Sequence, residues 1–140
     1  MISVVLSYFR QPEALEWQIQ HYESLRQIPV ELVLVDDGSR DGFALKRLRE
    51  SKLSGIFIEI ENQIAWNIPA ARNWGMVFSS NDACLRTDID HVPKSVTLEF
   101  LDGLDSIRGE ALRFRRVSSD GRALHPHSDS FFLSKRDYWE

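Results

Sequence analysis

Cysteine is almost absent from these 140 residues: Cys84 stands alone. One cysteine excludes an intramolecular disulfide and suits a reducing compartment, so a cytoplasmic protein is expected. Its neighbours Ala83 and Leu85 suggest a buried thiol rather than a nucleophile. Long apolar runs are missing too, and none approaches the roughly 20 residues that span a bilayer. The opening Met1-Ile2-Ser3-Val4-Val5-Leu6 has neither the basic leader nor the length of a signal peptide. Positive charge is short: 17 Lys and Arg against 21 Asp and Glu leave a net charge of −4. That deficit excludes a general nucleic-acid binder, which needs a basic face to displace counterions. What is present, 43% hydrophobic and 27% charged residues, describes a soluble globular chain, large enough for one domain over 1–140 with a single core.

Strand-like and helix-like segments alternate, with no internal repeat or linker. Ile2 to Leu6 is a compact β-branched run, expected as a strand buried on both faces. Pro12 suits a first helical turn, and Leu15, Ile19 and Tyr22 recur at helical spacing. Val30 to Val35 reads as a second strand, residues around Ala44 to Leu48 as a helix, and Gly55 to Ile60 as a third strand. Pro69 opens another helix, with Ala70, Trp74 and Val77 on one face. Ala83 to Thr87 is a fourth strand, and Pro93 precedes a helix carrying Val96, Phe100 and Leu104. This alternation predicts βαβ units, hence an α/β/α three-layer fold with a mostly parallel sheet. Beyond Gly109 the period becomes two, and Ser118-Ser119-Asp120-Gly121 carries a hairpin turn signal, so an antiparallel hairpin should make the sheet mixed. Phe131 to Leu133 reads as one more short strand.

Ligands of open parallel sheets bind beyond the carboxyl ends of the strands. Three polar clusters fall at such ends: Ser7 to Arg10, Asp36 to Ser39 and Asp88 to Asp90. In an extended segment Asp88 and Asp90 would point to one side and could share a hard divalent cation, Mn²⁺ or Mg²⁺. Asp36 and Asp37 could accept hydrogen bonds from a base or a ribose, or serve only as turn residues. Arg72, near the start of the Pro69 helix, would make an anion site or simply lie exposed on the helix surface. Trp66 and Trp74 read as core aromatics, with stacking on a base or sugar open to Trp66. In His125-Pro126-His127, a surface loop competes with an imidazole ligand to the ion.

These segments together resemble the family-2 glycosyltransferases of GT-A fold. Ile2 to Arg10 resembles that family's first strand and nucleotide loop, and Val33-Leu34-Val35-Asp36-Asp37-Gly38-Ser39 its base- and ribose-contacting segment. Ala70-Ala71-Arg72-Asn73-Trp74-Gly75 is similar to its Ala-Arg-Asn-x-Gly helix, and Asp88-Ile89-Asp90 to its metal-binding Asp-x-Asp. The resemblance implies transfer of a sugar from a nucleoside diphosphate, with UDP the expected nucleotide, to an acceptor hydroxyl with inversion. It implies nucleotide contacts at Ser7, Phe9, Asp36, Asp37, Arg72 and Asp88. For the metal it implies Asp88 and Asp90, with His127 as a further candidate. The family's acidic base belongs to a stretch that would follow Glu140, so a fragment is expected, with a helix starting at Ser134 and Asp137 as its capping pair. Asp129 is the base candidate inside the chain, although a surface acid is the simpler reading. A homodimer that covers the unfinished edge is a further expectation. Two rivals stay open: a nucleotidyltransferase, disfavoured because Ser7 to Gln11 is no Gly-rich basic loop, and a non-catalytic nucleotide-sugar-binding module.

Overall fold

The computed structural model describes residues 1–25, 27–61, 67–104 and 108–139. Strand β1 (Ile2–Tyr8) leads to helix α1 (Pro12–Ser24), β2 (Val30–Asp36), α2 (Phe43–Glu50), β3 (Ser54–Glu59), α3 (Ile68–Phe78), β4 (Ala83–Thr87) and α4 (Ser95–Asp102). Four short strands follow: β5 (Ala111–Leu112), β6 (Arg116–Val117), β7 (Ala123–Leu124) and β8 (Phe131–Ser134). The main sheet runs β3-β2-β1-β4-β8-β5. Its first four strands are parallel, with Val4 opposite Leu32 and Leu85, while β8 joins antiparallel to β4 and to β5. The hairpin turns at Ser118 to Gly121, where the sequence signal lies, but it stands apart from the main sheet. β6 and β7 pair as a separate two-stranded ribbon, and the mixed character of the main sheet comes from β8 and β5.

Side-chain alternation along the strands divides the core. Val4, Leu6 and Tyr8 of β1, with Leu32 and Leu34 of β2, bury against Leu15 and Ile19 of α1, Leu48 of α2 and Leu98 of α4. On the opposite face Val5 and Val33 meet Met76 of α3, with Cys84 and Leu133. Two layers of helix therefore enclose the central strands, which explains why β1 and β2 read as continuous apolar runs. Cys84 is fully buried, and burial pushes its thiol up to about 11, so it is a core residue.

Two helix faces depart from the expected ones. On α3 the buried side chains are Ala71, Gly75 and Met76, whereas Trp74 is 47% exposed and stacks on Phe78. On α4 Leu98 and Leu101 face inward, and Val96 and Phe100 face solvent. Both helices carry apolar residues on two sides, so periodicity alone does not choose between them. For α3 the choice is steric, since small residues let it approach the sheet closely. A Cβ on Gly75 would stand 2.3 Å from Val5 Cγ1 and 3.3 Å from Val35 Cγ2. Gly75→Ala is accordingly expected to lower stability by about 1–3 kcal/mol through overpacking. Urea unfolding measures this, and an unchanged midpoint would mean that α3 can lift off the sheet at no cost.

After β8 the chain forms turns over 135–139 rather than the expected helix. Ser134 Oγ accepts the Arg136 N–H (3.1 Å), but Asp137 is drawn away to accept the Gly109 N–H (2.7 Å), so the two residues do not cap one helix.

Candidate functional site

Chain connections leave β1 toward β2 on one side and reach β4 on the other, so the sheet reverses its winding between β1 and β4. Open α/β sheets hold ligands beyond such a point. A cavity of about 540 Å³ lies there. Ser7 and Phe9 enter it from the end of β1, Asp37 from the loop after β2, and Arg72 from α3. Asp88 and Asp90 enter from the end of β4, with His127 and Asp129 from the segment before β8. The three strand-end clusters thus meet, as their positions in the sequence imply. Trp66 lies outside the described residues.

The first two loops are joined by the Arg10 N–H, which donates to Ser39 Oγ at 3.1 Å. Arg10 and Arg40 there adopt left-handed φ values of 49° and 55°, conformations that cost a non-glycine residue on the order of 1 kcal/mol or more and gather at ligand sites. Asp36 is buried and turned into its own loop, where Oδ1 accepts the Ser39 N–H at 2.8 Å. Asp37 faces the cavity instead. Burial pushes its carboxyl up, with the charge of Asp36 adding to the effect against hydrogen bonds from Asn67. Ser7 Oγ is buried without a hydrogen-bond partner among the described residues, while its residue lines the cavity.

At the far end Asp88 is the hub. Its Oδ1 receives Arg72 Nη2 at 2.5 Å, and the other terminal nitrogen of Arg72 lies 3.2 Å from Asp129. Its Oδ2 faces His127 Nδ1 at 3.2 Å and His91 Nδ1 at 3.8 Å. One ligand atom from each of Asp88, His91 and His127 lies within 4.8 Å of the others. His127 Nδ1 accepts the Asp129 N–H at 3.3 Å, a bond that an ion on this nitrogen would displace. The three groups offer a divalent ion mixed oxygen and nitrogen donors, on ligand atoms close enough to share it.

Asp88 and Asp90 do not lie on an extended segment. β4 ends at Thr87, and the chain turns so that the His91 N–H donates to Asp88 O at 3.0 Å. The turn brings His91 beside Asp88, while Asp90 stays in the cavity wall with its side chain 69% exposed. Gln18 of α1 secures this turn: its fully buried Nε2 donates to Ile89 O and His91 O, each at 2.9 Å.

Three contributors to the site escape a reading from sequence. His91 adjoins the acidic pair, a signal hidden by treating the segment as strand. Gln18 resembles any polar residue of a surface helix, and nothing local marks it. Arg86, although on a central strand, is buried with its guanidinium 4.0 Å over the Phe131 ring, and its Nε donates to Asp129 O at 3.1 Å. Burial pulls its pKa down, and that is opposed by the electrostatic influence of Tyr138. Asp129 thus stands between two arginines, with Arg86 Nη2 3.7 Å from its carboxylate.

Comparison with known proteins agrees with this geometry. The family profile "Glycosyl transferase family 2" matches residues 3–132. Among solved structures, TarS 1-349 of S. aureus in complex with UDP superposes with a TM-score of 0.68 at 17% identity, over 98% of this chain and 48% of that one. The same protein in complex with UDP-GlcNAc gives 0.66 at 16% identity, over 98% and 47%. The mannosyltransferase PcManGT from Pyrobaculum calidifontis, in complex with GDP-Man and Mn²⁺, gives 0.62 at 19% identity, over 79% and 34%. At such identities the likeness is one of fold, and the chain spans less than half the length of each of these proteins. No curated protein sequence matches it significantly.

Proposed function

The chain belongs to glycosyl transferase family 2, and from that premise we propose that its crevice binds a nucleoside-diphosphate sugar and serves transfer of the sugar to an acceptor hydroxyl. The observation that carries this reading is the mixed lining of one crevice. Hydrogen-bonding groups suited to a nucleoside, Asp37 and Ser7, share it with Arg72 and with Asp88 and His127 of the candidate metal group. A nucleoside diphosphate needs both kinds of partner, neutral donors and acceptors for the nucleoside and positive charge for the diphosphate.

Each residue then has a role. Asp37 accepts from a ribose hydroxyl or base N–H, and Ser7 adds a hydroxyl beside it. Asp36 supports them by holding the loop closed, and Phe9, half-exposed, offers a ring face to the nucleoside. Arg72 can exchange its carboxylate partner for a phosphate oxygen, which preserves its charge pairing. Asp88, His91 and His127 would hold a divalent ion, with Asp90 reaching it from the cavity wall. Carboxylate ligands are common to Mg²⁺ and Mn²⁺, but imidazole nitrogens shift the fit toward Mn²⁺. Such an ion supplies Lewis-acid neutralisation of charge on the departing diphosphate. Attack by the acceptor hydroxyl in line with that group would invert the anomeric centre.

The complexes of TarS with UDP-GlcNAc and of PcManGT with GDP-Man and Mn²⁺ support the donor class and the ion. Among the described residues no helix is long and apolar enough to cross a membrane, and a buried unpaired Cys84 accords with our placing the activity in the cytoplasm. Calorimetry tests the reading directly. UDP and GDP are titrated in Mn²⁺ and in chelator, and micromolar binding of either, present only with the metal, is expected. Equal affinity of both nucleotides and of free uridine would sink the proposal, since the diphosphate would then contribute nothing.

A further inference from the structure

A second cavity, a groove of about 400 Å³, opens on the other side of His91, between the start of α4 and the β6–β7 ribbon. It shares Asp90 with the crevice, so the two spaces meet at the rim of the proposed metal site. Its charge is unlike that of the molecule. The chain as a whole carries −4, yet the titratable groups facing the groove are Lys94, Arg115 and Arg116 with His91, against the single acid Asp90. Lys94 and Arg115 are exposed and form no ion pair with a described residue. Arg116 is fixed: its Nε donates to His125 O at 3.0 Å, and its Nη1 lies 3.1 Å from His91 Nε2. Neither partner is a carboxylate, and the groove's one acid, Asp90, approaches only the shared His91 Nε2, at 3.9 Å. Hydroxyls of Thr97, Ser118 and Ser130 stand in the same wall.

We infer that this groove is the acceptor subsite and that it takes a hydroxyl compound bearing a phosphate group. The inference rests on the glycosyl-transfer reading for the word acceptor, and on the groove's own charge for the phosphate. Three cations from two parts of the chain line one groove that meets the crevice at Asp90, a placement that would hold an anion while a neighbouring hydroxyl reaches the donor side. A fixed guanidinium with two exposed cations in the same lining matches a phosphate, which accepts several charge-assisted hydrogen bonds at once. Neutral sugar acceptors would leave this charge without a partner.

Amide NMR of residues 1–140, titrated with glycerol 3-phosphate and separately with glycerol, tests the assignment. Glycerol 3-phosphate is expected to shift amides of Thr97, Phe114 and Val117, saturably and without added metal, while glycerol leaves them in place. In a Lys94→Gln/Arg115→Gln variant the affinity should fall by about fivefold or more, with UDP binding in Mn²⁺ unchanged within about twofold, because neither residue lines the crevice. Both side chains are exposed, so unaltered amide positions elsewhere verify the fold of the variant. Equal shifts with glycerol, unchanged affinity in the variant, or shifts confined to Arg72 and Asp88 would each overturn the assignment. If UDP fails to bind under any condition while the groove takes the phosphate, the glycosyl-transfer reading falls and the anion site alone stands. If UDP binds and the groove does not respond, the failure belongs to the groove.

Discussion

Asp88→Asn is expected to weaken UDP binding in Mn²⁺ by about 100-fold or more, to the level that wild type shows in chelator. Loss of an outer-shell partner of a metal site typically costs about 10–100-fold, and Asp88 is the carboxylate at the centre of the group. It faces both imidazoles, and it is also the residue through which Arg72 is held in place. Asp90→Asn should cost less, about tenfold, because its carboxylate is 69% exposed and lies 3.9 Å from the nearer nitrogen of His91. Folding should survive both changes, since Arg72 keeps Asp129 at 3.2 Å and the turn after β4 is held by Gln18 through backbone oxygens alone. Titration calorimetry of wild type and both variants, in Mn²⁺ and in chelator, gives the six affinities needed. An Asp88→Asn protein that keeps its metal response would remove Asp88 from the metal site. A larger loss for Asp90 than for Asp88 would show that the turn rearranges when the ion binds.

That ordering could not be read from the sequence, and the reason is local. The parallel sheet was legible because Ile2–Tyr8 and Val30–Asp36 are buried on both faces and so appear as unbroken β-branched runs. The crevice was legible because a parallel sheet directs every strand's carboxyl end to one side, so polar residues that follow strands must converge. Ser7, Asp37, Arg72 and Asp88 meet for that reason. Where backbone direction depends on a single turn the sequence carries no comparable constraint. Treating 88–90 as extended pairs Asp88 with Asp90, whereas the observed turn pairs Asp88 with His91. The helix faces fail differently. Trp74 and Val96 look like core residues by hydropathy, yet α3 turns small Ala71 and Gly75, with Met76, to the sheet and leaves Trp74 exposed, while α4 turns Leu98 and Leu101 inward and leaves Val96 exposed. Long-range partners such as Gln18, 70 residues and more from the turn it holds, leave no local trace.

Turnover by these 140 residues is expected to lag far behind binding. Inverting transfer needs a group to take the acceptor's proton, and the carboxylates deep in the crevice are engaged. Asp88 is paired with Arg72, Asp37 is hydrogen-bonded by Asn67, and Asp129 lies between Arg72 and Arg86. Asp129, ion-paired with Arg72 at 3.2 Å, is placed to position that guanidinium. Loss of general-base assistance costs about 10²–10⁴-fold in rate. With UDP-sugar, Mn²⁺ and a hydroxyl acceptor, release of UDP should therefore be slower by that factor than transfer with a free base, even where the donor is saturating. Asp129→Asn should leave this slow rate within about threefold, far less than the loss of a true base would cause. Its visible effect should be weaker donor binding, as Arg72 loses one of two anionic partners. The assay follows UDP release in parallel with transfer to acceptor, for wild type and variant at saturating donor. Fast transfer by wild type that drops about 100-fold or more in Asp129→Asn would assign the proton to Asp129. In that event the two arginines would have to release its carboxylate when the diphosphate arrives, and Arg72, which can bind either, is the residue whose movement would do so.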